Sequence, residues 1–272
     1  MKRLGIELLS VFGMPPIEHV RLAADLGCGH ISTALTQLPF NPHGYPSWSL
    51  RDDATLRREM KSAMHEHGVV IGLGDGFIAR PGQDIRDRRS DLDLMAELGA
   101  ERVSGISMEP DLERTKDHFA LLAEYAAQRG MKATMEFAPP HPVGTLESTL
   151  AVIRHVNRPN FRLLIDAMHF FRSGATLADL RALDPTLIGY VQLCDVPLVA
   201  TESDYMQEAM FARKVPGEGE LPLADFVAAI PADVRIGLEV PMRAQAESGI
   251  SPYERLRPAV LAAEALIRTH SR

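Results

Sequence analysis

The chain has 272 residues, 46% of them hydrophobic, and a net charge of −7. That is enough to bury one full core, since α/β barrels commonly run near ~250 residues, and a second domain over 1–272 is not required. The acidic balance, with Lys and Arg scattered and not striped, argues against a nucleic-acid partner.

The two cysteines, Cys28 and Cys194, sit in apolar stretches without CxxC spacing and read as buried thiols in a reducing compartment. Cys194 follows Gln192 by two residues, so strand parity would point it to the same side. The N-terminus shows no signal-peptide block, and no apolar run approaches ~18 residues. The expectation is a cytoplasmic protein that does not span a membrane.

Taken in order, residues 3–8 read as a strand and 16–26 as a helix with proline in its first turn, ended by Gly27. A strand at 30–34 runs into a long irregular segment, 37–50, which holds the single Trp48 and reads as a lid or pocket wall. A helix at 52–67, a strand at 69–73, a turn-rich loop at 74–82 containing Phe77 and a helix at 84–99 follow. The fourth strand is 102–106 and its helix 111–129.

The fifth strand, 131–136, ends in Glu136, and Thr145 starts the next helix as a capping residue. Residues 161–166 form a strand ending in Asp166, with His169 just beyond and a helix at 176–183. The strand 188–192 ends in Gln192, and a long loop, 195–220, holds Arg213 and a Pro216-Gly-Glu-Gly219 turn. A helix at 221–230, a strand at 234–239 ending in Glu239 and a helix at 253–270 complete the chain. About eight strand–helix repeats of ~30 residues predict a single (β/α)8 TIM barrel.

An apolar strand has nothing to gain from ending in a carboxylate or amide unless that group is paired or binds a cation. Any one such ending could cap a helix or pair with an arginine. Four in one barrel would meet at the face holding the C-terminal strand ends, where such barrels build active sites. Glu136, Asp166, Gln192 and Glu239 are therefore candidate metal ligands, and an all-oxygen set favours Mn²⁺ or Mg²⁺ over Zn²⁺ or copper. His169 and Arg213 are candidate substrate contacts, and Trp48 and Phe77 are candidate apolar walls of the same pocket.

The chain resembles the xylose-isomerase-like TIM-barrel superfamily of sugar phosphate isomerases and epimerases. The likeness spans nearly the whole chain by repeat count. It is sharpest in Met135-Glu136-Phe, Ile165-Asp166-Ala-Met-His169, Val191-Gln192-Leu-Cys-Asp195, Arg213 with the Gly-rich turn, and Leu238-Glu239-Val.

The resemblance implies one divalent cation on Glu136, Asp166, Gln192 and Glu239, with His169 and Arg213 touching substrate. In ketose 3-epimerases His stands where this chain has Gln192, whereas hydroxypyruvate isomerase and 3-dehydroshikimate dehydratase have Gln there. The implied activity is isomerisation or epimerisation of a small polyhydroxy carbonyl compound through an enolate, with Glu136 and Glu239 as acid–base residues. The alternatives are a dehydratase, or lyase, of the dehydroshikimate type and a non-catalytic metabolite-binding barrel. A homo-oligomer is compatible with this fold, although no surface stripe marks an interface.

Overall fold

Strands β1 (Leu4–Ile6), β2 (His30–Thr33), β3 (Val70–Gly74), β4 (Arg102–Gly105), β5 (Lys132–Met135), β6 (Phe161–Asp166), β7 (Ile188–Leu193) and β8 (Ile236–Leu238) close into a barrel in chain order. Every pairing is parallel, and β1 closes on β8 through Leu4↔Ile236, Gly5↔Gly237 and Ile6↔Leu238. The structure is a computed structural model that describes residues 3–269. The TIM barrel expected from the repeats is thus present. The predicted end of the last helix at His270 lies outside the described residues.

The helices are α1 (Pro16–Asp25), α2 (Ala54–His67), α3 (Arg89–Glu97), α4 (Leu112–Gln128), α5 (Leu146–Val156), α6 (Ala167–Arg172), α7 (Leu177–Ala182), α8 (Tyr205–Phe211), α9 (Leu223–Ala228), α10 (Arg243–Glu247) and α11 (Pro252–Thr269). Their starts follow capping chemistry. Asp53 accepts from the amides of Thr55 and Leu56 at the start of α2, and Asp111 does the same for α4. Thr145 and Thr176 form capping boxes at α5 and α7. Among the described residues, no helix is long and apolar enough to cross a membrane.

Three short helices, α6, α8 and α10, were absent from the expected order. They lie between β6, β7 or β8 and the expected helix of the same repeat, α7, α9 or α11. With five to seven residues apiece they are too short to show a helical period.

Strand residues sort by parity. Ile6, Ile31, Ile71, Val103, Ala133, Leu163, Val191 and Ile236 join the core between strands and helices. Leu73, Leu164 and Tyr190 make a separate small cluster. Beside it lie buried polar groups: Glu7, His30, Arg102 and Arg235. Glycines make room for them. A Cβ at Gly237 would fall 1.7 Å from Glu7 Oε1, and one at Gly5 would fall 2.3 Å from His30 Cδ2.

Candidate active site

The parallel ladders deliver the strand-end side chains to one face. Glu136 directly follows β5, its amide donating to the Gly105 carbonyl at 3.1 Å, and Glu239 follows β8, its amide donating to the Leu193 carbonyl at 3.1 Å. Asp166 ends β6 opposite Gln192 in β7. Glu136, Asp166 and Glu239 each bring a carboxylate oxygen within 4.8 Å of the others. Three side chains from strands far apart in sequence therefore meet.

Gln192 completes the group. Its Nε2 donates to Glu239 Oε1 at 3.1 Å and to Glu7 Oε2 at 3.2 Å. Its Oε1 is buried and has no hydrogen-bond partner. A buried acceptor without a donor costs about 1–3 kcal/mol. An orphaned amide oxygen beside three carboxylates is the donor set a hard divalent cation takes, so the residues present fit the cation that the family resemblance implied.

Arg213 is the protein cation among these groups. Its Nη1 lies 2.6 Å from Asp166 Oδ2, 2.9 Å from Glu239 Oε2 and 3.5 Å from Cys194 Sγ, while its Nε donates to the Ala209 carbonyl at 2.7 Å. Burial opposes its charge, but Asp166 and Glu239 together hold its pKa well above the ordinary arginine value.

The carboxylates respond in the opposite sense. Burial, then the charges of Glu239 and Asp166, pushes the Glu136 carboxyl well up. Burial pushes Glu239 to about 8, the nearby Arg213 working against the rise. One guanidinium does not neutralise three carboxylates held this close together, so the neutral acid form is favoured at Glu136 and Glu239.

The sequence places Arg213 through a turn organised by Asp195. Lys214 pairs with Asp195 through backbone bonds of 2.8 and 3.0 Å. The Asp195 carboxylate accepts from the amides of Val196, Gly217 and Leu221 at 2.9, 2.8 and 3.1 Å. A Cβ at Gly219 would fall 2.3 Å from Asp195 Oδ1. The two motifs, one at the end of β7 and one at the Gly-rich turn, are halves of one scaffold.

Asp166 caps α6 by accepting from the His169 amide at 2.9 Å, which fixes both the carboxylate and the histidine. The His169 imidazole meets the Tyr205 hydroxyl at 2.5 Å through Nδ1, and its Nε2 lies 3.6 Å from Glu136 Oε1. Burial lowers its pKa to about 4, so the ring is neutral near pH 7. One turn on, Arg172 donates to Glu208 at 2.8 and 3.0 Å and to the carbonyls of Pro197 and Leu198 at 2.7 and 2.8 Å. Paired contacts 169–205 and 172–208 thus pin α8 over α6.

The proposed walls have specific places. Trp48 is half-buried and donates from Nε1 to the Gly13 carbonyl at 3.0 Å. Phe77 is buried, with the Arg88 guanidinium 5.3 Å from its ring centroid.

Sequence reasoning passed over Glu7, Asp75, Tyr190 and Tyr205. Glu7 is buried, and its carboxyl is raised chiefly by that burial. Asp75 is also raised, by burial and then by the charges of Glu7 and Glu239. The signal existed for both, because Glu7 follows β1 and Asp75 follows β3 as the other carboxylates follow their strands. Tyr205 had no such signal, because 195–220 reads from sequence as one long loop although Tyr205 starts α8.

With the geometry in hand, the relatives are informative. Residues 20–262 match a family model described as a xylose isomerase-like TIM barrel. The chain belongs to that family. It is 29% identical over 188 residues to a 3-dehydroshikimate dehydratase of Pseudomonas putida, a match covering 64% of this chain and 29% of the relative. It is 30% identical over 161 residues to one of Pseudomonas aeruginosa, covering 56% and 25%. Each match spans less than a third of those longer proteins.

Among solved structures, the IOLI protein with a bound zinc atom superposes with TM-score 0.82 at 17% identity, covering 99% of both chains. D-psicose 3-epimerase of Clostridium cellulolyticum H10, solved with D-tagatose, gives 0.75 at 15% identity and 100% of both. The probable 3-DHS dehydratase AsbF of Bacillus anthracis gives 0.72 at 15%, covering 97% and 99%. At these identities the likeness concerns the fold.

Proposed function

We propose that the chain is a divalent-metal-dependent enzyme that forms an enolate from a small polyhydroxy carbonyl compound and returns it as an isomer or epimer. The observation that supports this most is the orphaned Gln192 Oε1 beside the converging oxygens of Glu136, Asp166 and Glu239. These four residues would hold Mn²⁺ or Mg²⁺, given an all-oxygen donor set. When bound, the cation supplies Lewis-acid stabilisation of negative charge on the substrate oxygen.

The protein's own groups supply the proton chemistry. Glu136 and Glu239 come from strands three apart around the barrel, so they reach the substrate from different sides. One removes the proton next to the carbonyl and the other returns it; burial raises both carboxyls in the metal-free site, so each can carry a proton as well as accept one. Neutral His169, held by Tyr205, offers Nε2 to a substrate hydroxyl. Arg213 keeps Asp166 and Glu239 in place and adds a positive charge beside the developing anion. Trp48 and Phe77 stay proposed as apolar surfaces bordering the substrate. The working setting is the cytoplasm, on a free metabolite.

A second reading is a dehydratase, in which the enolate expels a β-hydroxyl. The two Pseudomonas relatives, both 3-dehydroshikimate dehydratases, support it. The test is to strip the protein with chelator, reload it with Mn²⁺ or Mg²⁺, and incubate it in heavy water with ketoses, hydroxypyruvate and 3-dehydroshikimate. Deuterium uptake with conserved substrate mass supports isomerisation. A new conjugated absorbance supports dehydration. A protein that binds no metal and exchanges no proton is a binding barrel, and the proposal fails.

A further inference from the structure

A chain of buried hydrogen bonds runs up the barrel interior and ends on Gln192. At the bottom Arg235, paired with Glu101 at 2.6 Å, places Nη1 3.4 Å from His30 Nδ1. His30 Nε2 meets the Tyr190 hydroxyl at 3.1 Å, and that hydroxyl donates to Glu7 Oε1 at 2.5 Å. Gln192 Nε2 lies 3.2 Å from Glu7 Oε2.

The donors settle the direction of every bond. Arg235 has only hydrogens to give, so His30 Nδ1 accepts and Nε2 carries the ring hydrogen. Tyr190 therefore accepts from His30 and donates onward to Glu7. Glu7 is the shared acceptor, and only the amide nitrogen of Gln192 can face it. An Asn or Gln amide is oriented by such a network, not by its own shape. With its NH₂ turned to Glu7 and Glu239, Gln192 has its Oε1 left over for the cation.

We infer that Glu7 is a positioning residue which fixes the Gln192 amide with its oxygen toward the metal centre, Tyr190 and His30 in turn fixing Glu7. Gly237 is part of the device, because any side chain there would occupy the place of the Glu7 carboxylate. The inference rests on the cation reading given under Proposed function.

Glu7→Gln is nearly isosteric and reverses the pattern. The Tyr190 hydroxyl keeps an oxygen opposite it, so the new NH₂ faces Gln192. The Gln192 amide then turns its oxygen to residue 7 and its NH₂ to the metal. Losses from such supporting contacts run roughly 10- to 100-fold in metal affinity.

The test is a Mn²⁺ titration followed by electron paramagnetic resonance on chelator-treated protein, for wild type, E7Q, Q192A and the double variant. The expected result is a loss in that range for E7Q in the wild-type background and almost none in the Q192A background, where there is no amide to orient. Wild type that takes up no Mn²⁺ defeats the cation reading itself. Wild type that binds, with E7Q binding equally well or losing equally in both backgrounds, defeats the role of Glu7 alone. If E7Q does not fold, Y190F replaces it in the same cycle, with a smaller loss that must again vanish beside Q192A.

Discussion

The Arg213 guanidinium stands 2.6 Å from Asp166 Oδ2, with 2% and 0% of the two side chains exposed. It is the counter-charge that lets the carboxylates be buried together. Removing one partner of a buried pair costs about 3–5 kcal/mol, because the other charge is left uncompensated. Arg213→Met should destabilise the metal-free protein by about that amount in a urea melt. Added Mn²⁺ should restore more stability to R213M than it adds to wild type, since the cation takes over the neutralising role. Equal gains in both would mean that Arg213 and the ion do not share the same carboxylates.

The raised carboxyl pKa values set the sign of the pH dependence. In the unfolded chain Glu239 titrates near ~4.3, and in the folded protein at about 8. Between these values the native state binds the extra proton, so stability is full below the lower value and falls as pH rises through the upper one. Glu136, also raised, acts in the same sense. The chelator-treated protein should lose melting temperature from pH 5 to pH 8, and E239Q should show a shallower slope. Mn²⁺ uptake at pH 6.5 should release protons, measurable by buffer-dependent calorimetry. A slope of opposite sign would exclude protonated carboxyls in the metal-free site.

The barrel was legible because eight apolar runs alternate with helical periods, and every strand from Ile6 to Ile236 contributes to the core under the helices. The convergence of Glu136, Asp166 and Glu239 was legible because a carboxylate is an unnatural end for an apolar strand. The same rule applied to β1 and β3 reaches Glu7 and Asp75, but a short strand such as Leu4–Ile6 gives it little weight. The Tyr205 and Arg172 contacts were not legible. They depend on α6 and α8, whose pairing joins residues 36 apart across a loop with no period of its own.

Replacing the acid–base pair tests the chemistry apart from the fold. Glu136→Gln and Glu239→Gln keep the shape of carboxyls whose neutral form burial already favours in the metal-free site, so neither should unfold the protein. Each should lower turnover by at least ~100-fold, the usual worth of a positioned acid or base. Each should also weaken Mn²⁺ binding. Full activity in either variant would remove that residue from the mechanism.

His169→Ala and Tyr205→Phe separate the substrate contact from the metal centre. His169 is neutral, and only its peptide amide touches Asp166 closely, at 2.9 Å, a bond that alanine keeps. H169A should therefore bind Mn²⁺ within a few-fold of wild type while kcat/KM falls. Y205F removes the hydroxyl that holds Nδ1 at 2.5 Å and so frees the ring to turn. Its kcat/KM should fall less than that of H169A, and the two losses should not add in the double variant, since a phenol that acts through the imidazole has nothing to orient once the ring is gone. Additive losses would show that Tyr205 touches the substrate on its own account.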